Sequence, residues 1–167
     1  VHNMYQGKPI TCLVNPFLGH ESEMRPADVK KKVIVVGAGV GGMLAAWVAA
    51  MRGHDVTLLE STDTLGGQMR LAAYPPGKGD LTNMVRSYIT KCKQYGVKIC
   101  MNTKVTPKIL INEAPDVAIV ATGSTPLILP ITGIEDCGVI HAVDLLDGKV
   151  SCGQKVLVVG GGMVGCE

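Results

Sequence analysis

The stretch "KKVIVVGAGVGGMLAAW", residues 31–47, leaves few folds open to this chain. Residues 33–36 are continuously apolar with no polar alternation, as in a strand covered on both faces, and that implies a parallel sheet. Gly37, Gly39 and Gly42 follow at G-x-G-x-x-G spacing, and an alanine-rich apolar run then reads as a helix to about Arg52. In this pattern the first glycine permits the tight turn. The second leaves room for a pyrophosphate at the backbone, and the third lets helix and strand close together. The helix N-terminus adds unpaired N–H groups and a partial positive charge that suit phosphate. Ala45, Ala46 and Ala49 keep the packing face of this helix slim.

Gly53 suits the left-handed position that ends a helix, and residues 56–60 read as a second strand. Glu60 closes that strand 18 positions beyond Gly42, where a carboxylate accepts hydrogen bonds from ribose hydroxyls. Its charge disfavours a 2′-phosphate, so the ligand expected here carries an unphosphorylated adenosine. The competing reading is that Glu60 merely ends a strand in solvent. A loop follows, and then Asp80 is placed to cap a helix running to about Gln94, which Gly96 ends. "VKICMN" and "DVAIVATG" read as two more strands, joined by a short segment around 105–111. A proline- and glycine-rich linker leads to "QKVLVVGGGMVGCE".

That closing stretch repeats the first. "KVIVVGAGVGG" and "KVLVVGGGMVG" superimpose at an offset of 123, so Gly37, Gly39 and Gly42 fall on Gly160, Gly162 and Gly165. The expectation is one nearly complete nucleotide-binding unit and the opening strand, turn and helix of a second. The residue that would choose between NADH and NADPH lies past Glu167, which itself sits in the opening helix.

Composition narrows the rest. A formal charge of +2 with no long basic block gives no electrostatic case for nucleic acid. The longest apolar runs are broken within about ten residues, against roughly 20 for a membrane span. Six cysteines (Cys12, Cys92, Cys100, Cys137, Cys152, Cys166) form no CxxC pair and read as reduced thiols rather than a disulfide framework. Residues 1–30 are interrupted by Pro9, Pro16, Gly19 and Pro26 and read as an irregular arm. His54 and His141 have no companion ligand or nucleophile at a useful spacing and are given surface roles.

Two glycine turns with "LGGQ" and "IVATGSTP" between them resemble the flavoprotein arrangement that carries two dinucleotide-binding units. That resemblance implies FAD on the first and NAD(P)H on the second. "ATG" (Ala121, Thr122, Gly123) corresponds to the second flavoprotein fingerprint, where the chain leaves the FAD unit. Glutathione-reductase-type enzymes carry a cysteine pair soon after the counterpart of Gly66 and Gly67; here "QMRLAAYPPGK" follows, and that subfamily is disfavoured. The arm "GKPITCLVNPFLGHESEMRPA" is instead similar to the segment leading into the FAD domain of the 2-enoate reductase and 2,4-dienoyl-CoA reductase family, the iron–sulfur relatives of old yellow enzyme. In that family an FMN-binding TIM barrel and a four-cysteine [4Fe–4S] site precede the FAD and NAD(P) domains.

By this resemblance Cys12, in "CLVNP", is the last of four cluster ligands, with Val14 and Pro16 packing beside it; the other three would lie upstream. One thiolate cannot hold a cluster alone. The remaining cysteines are assigned as inert. The resemblance also implies cofactor contacts from Gly41 in the phosphate turn and from Gly67 of "LGGQ". Gln68 would face the flavin nucleotide, and Lys78 would neutralise phosphate or bond the flavin. Val105 would pack near adenine through its backbone. Gln68 and Lys78 are equally readable as solvated loop residues.

The fold expected is therefore α/β, a Rossmann-like FAD/NAD(P)-binding domain with a parallel sheet flanked by helices, incomplete in this fragment. Its divisions are an arm (1–30), the N-terminal part of the FAD domain (31–123), a linker (124–154) and the start of the NAD(P) domain (155–167). In the family the FAD unit is completed by chain returning later, so this piece alone should be less stable and hold FAD weakly. Its partners are nucleotides and the FMN barrel of the same protein, with neither nucleic acid nor membrane, in a cytoplasmic setting. No catalytic acid, base or nucleophile is assigned. The function implied is electron input: NAD(P)H to FAD, through [4Fe–4S] to FMN, for reduction of an activated C=C bond of an enoate or enoyl-CoA. Two other readings stand beside it: a redox-silent ADP-binding domain like that of trimethylamine dehydrogenases, and a stand-alone NADH-dependent flavin reductase.

Overall fold

The computed structural model describes residues 2–127, 130–135 and 138–167, so Cys137 and part of the expected linker lie outside the described residues. The arm carries one short helix, α1 (His2–Tyr5), and a 3-10 turn at Glu21–Glu23. The central unit then runs β1 (Lys32–Val36), α2 (Val40–Met51), β2 (Asp55–Leu59), α3 (Gln68–Leu71), α4 (Leu81–Gln94), β3 (Lys98–Cys100), α5 (Pro107–Glu113) and β4 (Val117–Val120). Two short helices follow, α6 (Ala142–Leu146) and α7 (Met163–Cys166).

All four strands are parallel, in the order β3-β2-β1-β4. The chain winds outward from β1 to β3 and then returns to the far side of β1. That reversal is the switch point where ligands lie in α/β sheets, outside the carboxyl ends of the strands. Gly37 follows β1 there and Ala121 follows β4. Val36 pairs with Val120, and the Ala121 N–H donates to the Val36 carbonyl at 2.8 Å.

Sequence explains these elements directly. Val33, Ile34 and Val35 are all buried, so β1 is covered on both faces as its unbroken apolar run implied. Helix α2 is apolar nearly all round and buries Met43, Ala46 and Trp47. Helix α4 is amphipathic and buries Met84, Val85, Tyr88 and Cys92 along one stripe. The two helices meet over Val33, Val35, Val56 and Leu58 to form one core. Trp47 is its largest member. Phe17 from the arm stands edge-on to it at 5.4 Å, Tyr95 stacks at 6.1 Å, and the Lys91 ammonium lies 4.4 Å from the ring centre.

Several expectations shift. Asp80 stands before α4, but its side chain caps no backbone N–H; it accepts instead from the Asn83 side chain at 3.4 Å. The segment after β3 is a true helix, α5, with Thr106 accepting the Ile109 N–H as its cap. Of the three alanines expected to slim the packing face of α2, only Ala46 is fully buried. Ala45 and Ala49 line an open groove of about 610 Å³ beside Val117 and Ile119. Residues 156–159, expected as a strand, join no sheet, and their side chains are 57–87% exposed. A strand exists only through its neighbours' hydrogen bonds, and among the described residues none pairs with this segment.

Candidate functional site

The first glycine turn is built by exclusion. Gly37 has φ +99°, and a Cβ on it would lie 2.4 Å from the Ala121 carbonyl oxygen. A Cβ on Gly42 would lie 1.8 Å from the Gly37 oxygen. Neither position accepts a side chain. Gly39 and Gly41 differ: a Cβ on either would meet nothing within 4 Å. The two outer glycines thus seat α2 on β1, while Gly39 and Gly41 leave open space at the helix start. No side chain caps α2 there, so its first N–H groups face that space. This is the cradle that a pyrophosphate requires.

Gly66 and Gly67 wall one side of it. The Gly66 N–H donates to the Ala38 carbonyl at 2.9 Å, and a Cβ on Gly67 would lie 3.0 Å from the Cα of Gly39. Glu60 braces the turn from beneath. Its Oε2 accepts the Ala38 N–H at 2.7 Å, while Oε1 accepts the Thr62 N–H, the Thr62 hydroxyl and the Ser61 hydroxyl at 2.9, 3.0 and 3.1 Å. Burial pushes this carboxyl up, but those bonds, led by Ala38 and Thr62, outweigh it and hold Glu60 below the ordinary carboxylate value. Glu60 is therefore ionised and only 9% exposed, rather than a strand end in solvent. Oε2, with a single bond, keeps acceptor capacity for a hydroxyl.

The remaining sequence candidates are distributed around this cradle. Gln68 opens α3 and donates to the Ser124 carbonyl at 2.8 Å, so it grips the exit of β4. Lys78 pairs with the Glu167 carboxylate. Val105 is half-buried in the loop after β3, which is tied to the Glu60 region by Thr103 N–H to the Glu60 carbonyl, 2.7 Å. Ala121 abuts Gly37; Thr122 and Gly123 are exposed beyond it. Sequence reasoning missed Thr62, Ser61 and the Ala38 peptide. The signal was the adjacency itself: Ser61 and Thr62 directly follow Glu60 and put two hydroxyl donors within reach of its carboxylate.

The second turn repeats the first in shape. Gly160 has φ +108°, Gly162 is extended at φ −79° and ψ −175°, and a Cβ on Gly165 would lie 1.9 Å from the Gly160 oxygen. The corresponding values at the first turn are +99°, −66° and 175°, and 1.8 Å. The repeat is thus geometric as well as sequential.

Cys12 is exposed, and its sulfur accepts the Asn15 N–H at 3.3 Å. That bond, with a second from Val14, lowers the thiol pKa and so favours the thiolate a metal needs. The loop around it is fastened to the core by Tyr88, whose hydroxyl donates to the Leu13 carbonyl at 3.1 Å, and by Phe17 on Trp47. Among the described residues no three His, Cys, Asp or Glu side chains are grouped to hold a metal. Cys92, Cys100, Cys152 and Cys166 are also unpaired thiols. Among the described residues no helix is long and apolar enough to cross a membrane.

Comparison with known proteins agrees with this geometry. The pyridine nucleotide-disulphide oxidoreductase family matches residues 31–167. A metal reductase of Desulforamulus reducens is 39% identical over 99% of this chain and 26% of its own length. A cinnamate reductase of Clostridium sporogenes is 41% identical over 95% of this chain and 24% of its own. The solved structure of a 2-naphthoyl-CoA reductase with 2-naphthoyl-CoA superimposes with a TM-score of 0.91 at 39% identity, over 98% of this chain and 25% of that one. The chain therefore spans about a quarter of the length of these relatives, among which 2-enoate and dienoyl-CoA reductase-like proteins are represented. This chain belongs to the pyridine nucleotide-disulphide oxidoreductase family, with a Rossmann-like parallel sheet carrying its first nucleotide turn.

Proposed function

We propose that this chain is the electron-input portion of a multi-cofactor flavin oxidoreductase. Residues 31–123 hold FAD, residues 155–167 begin the NAD(P)H unit, 124–154 link them, and residues 1–30 follow an iron–sulfur region. Reducing equivalents pass from NAD(P)H by way of FAD and a [4Fe–4S] centre to FMN on a barrel of the same protein, which reduces an activated C=C bond of an enoate or enoyl-CoA. The observation that carries this reading is the doubled turn: two cradles of one shape in one chain, the first with a buried carboxylate beneath it.

The residues divide the work of binding. The open space at Gly39 and Gly41 admits a pyrophosphate, and the start of α2 donates to it. Glu60 accepts from a ribose hydroxyl and repels a 2′-phosphate. When bound, FAD supplies two-electron acceptance from a hydride and one-electron release. Cys12 contributes one thiolate to the cluster. None of these side chains takes or gives a substrate proton.

The test uses the complete protein. Expected are FAD and FMN in near-equal amounts with about four iron and four sulfide per FAD, with bleaching of the flavin absorbance by NADH or NADPH and enoate-dependent recovery. Cys12→Ala should lose iron. An extract with adenine absorbance but no FAD would show a redox-silent ADP domain instead. Failure of both nicotinamides to bleach the flavin would overturn the reading.

A further inference from the structure

We propose that α3 is a positioning element that holds the second nucleotide unit in place against the first, with Arg70 as its grip on the connecting segment. The inference rests on the two-unit reading above, which assigns no such role to α3 or Arg70.

Three polar contacts leave the short stretch 68–78 and land at successive points on the path to the second turn. Gln68 donates to the Ser124 carbonyl at 2.8 Å and reaches the Ser124 hydroxyl at 3.2 Å. Arg70 Nη2 meets Asp147 Oδ1 at 2.5 Å, at the end of α6. Lys78 pairs with Glu167, just past the helix that follows the second glycine turn. The near end of the same stretch is fixed as well, since Gly67 presses on Gly39 in the first cradle. One segment therefore touches the first cradle, the exit of its sheet, the linker helix and the second turn.

Arg70–Asp147 is the pair best suited to bear this load. The Asp147 side chain is only 18% exposed, against 33–67% for the four other carboxylates in ion pairs among the described residues. Its second oxygen is held by Lys149 at 2.9 Å, so both oxygens have a cation and the carboxylate cannot swing away. Ion pairs near the surface add little to stability, so the consequence of this one is geometric. Transfer between two bound nucleotides falls steeply with misplacement, about a hundredfold for an ångström. A clamp that fixes the linker is therefore felt in rate before it is felt in folding.

The experiment uses the complete flavoprotein with Arg70→Gln, Asp147→Asn and the double variant. At saturating nicotinamide the rate of flavin bleaching should fall about tenfold in either single variant, with FAD content and nucleotide affinity unchanged. The double variant should be no worse than either single one, as for two ends of one contact. Arg70→Lys should recover part of the rate. Independently of activity, thermolysin should cut residues 124–154 faster in Arg70→Gln than in the parent protein. Unchanged bleaching and unchanged cleavage in Arg70→Gln, or additive losses in the double variant, would overturn the clamp. A parent protein that neither nicotinamide bleaches would refute the two-unit function instead, and the cleavage comparison would still decide whether Arg70 holds the linker.

Discussion

A Cβ on Gly42 would stand 1.8 Å from the carbonyl oxygen of Gly37, a distance no pair of unbonded atoms tolerates. Helix α2 rests on the end of β1 through that contact, and the obstacle is backbone. Gly42→Ala must therefore push α2 off the sheet and disturb Met43 and Ala46. The expected cost is about 3 kcal/mol, a fall in midpoint of roughly ten degrees for a chain of this size. Thermal unfolding followed by far-ultraviolet circular dichroism measures it directly.

Gly39→Ala gives the opposite pattern. Its backbone is extended, and a Cβ there meets nothing in the protein. Unfolding should move by less than about 0.5 kcal/mol, the range of surface changes. FAD affinity of the complete protein, read by flavin release during dialysis, should drop at least about tenfold because the methyl occupies the phosphate space. A variant that unfolds early but keeps its flavin would contradict the assignment.

Glu60 makes stability depend on acid. Its carboxyl titrates below the unfolded value because Ala38 and Thr62 bond the ionised form despite burial. The stabilisation is therefore present above the unfolded carboxylate pKa and disappears as pH falls through the lower, folded one. As pH falls from the unfolded carboxylate value through that folded one, melting of the parent chain should decline with acid. Glu60→Gln should begin about 2 kcal/mol less stable, as for a lost charged hydrogen bond, and show a flatter acid limb. Equal acid slopes would remove Glu60 as the brace.

Cys92 should resist alkylation. Burial pushes its thiol up to about 11, and its sulfur lies 3.5 Å from the Met43 carbonyl. At pH 8 iodoacetamide should label the exposed Cys152 and Cys166 and spare Cys92 until denaturant is added. Peptide mass spectrometry distinguishes these cysteines.

Tyr88→Phe should loosen the arm. The change removes one bond, to the Leu13 carbonyl, and should cost about 1 kcal/mol. Proteolysis near residues 10–16 should quicken while the core, still packed on Trp47, melts as one unit.

Much of this was readable from the sequence, for reasons visible in particular residues. Val33, Ile34 and Val35 announced a doubly covered strand because nothing polar interrupts them. The glycine spacing announced the turn because only glycine fits where Gly37 and Gly42 sit. Gln68 and Lys78 were less legible. Their partners, Ser124 and Glu167, lie 56 and 89 positions away, and no local pattern encodes such distances. Asp80 misled for a related reason: it is the right residue type at the right position, yet its carboxylate meets Asn83 instead of the backbone. The closing strand failed because a strand, unlike a turn, is not a property of its own residues.

That last contrast bears on the order of events during synthesis. The second turn takes its shape with the apolar segment before it unpaired, through a contact spanning only Gly160 to Gly165. Its closure therefore waits for no distant partner and belongs to the fast, local class of folding steps.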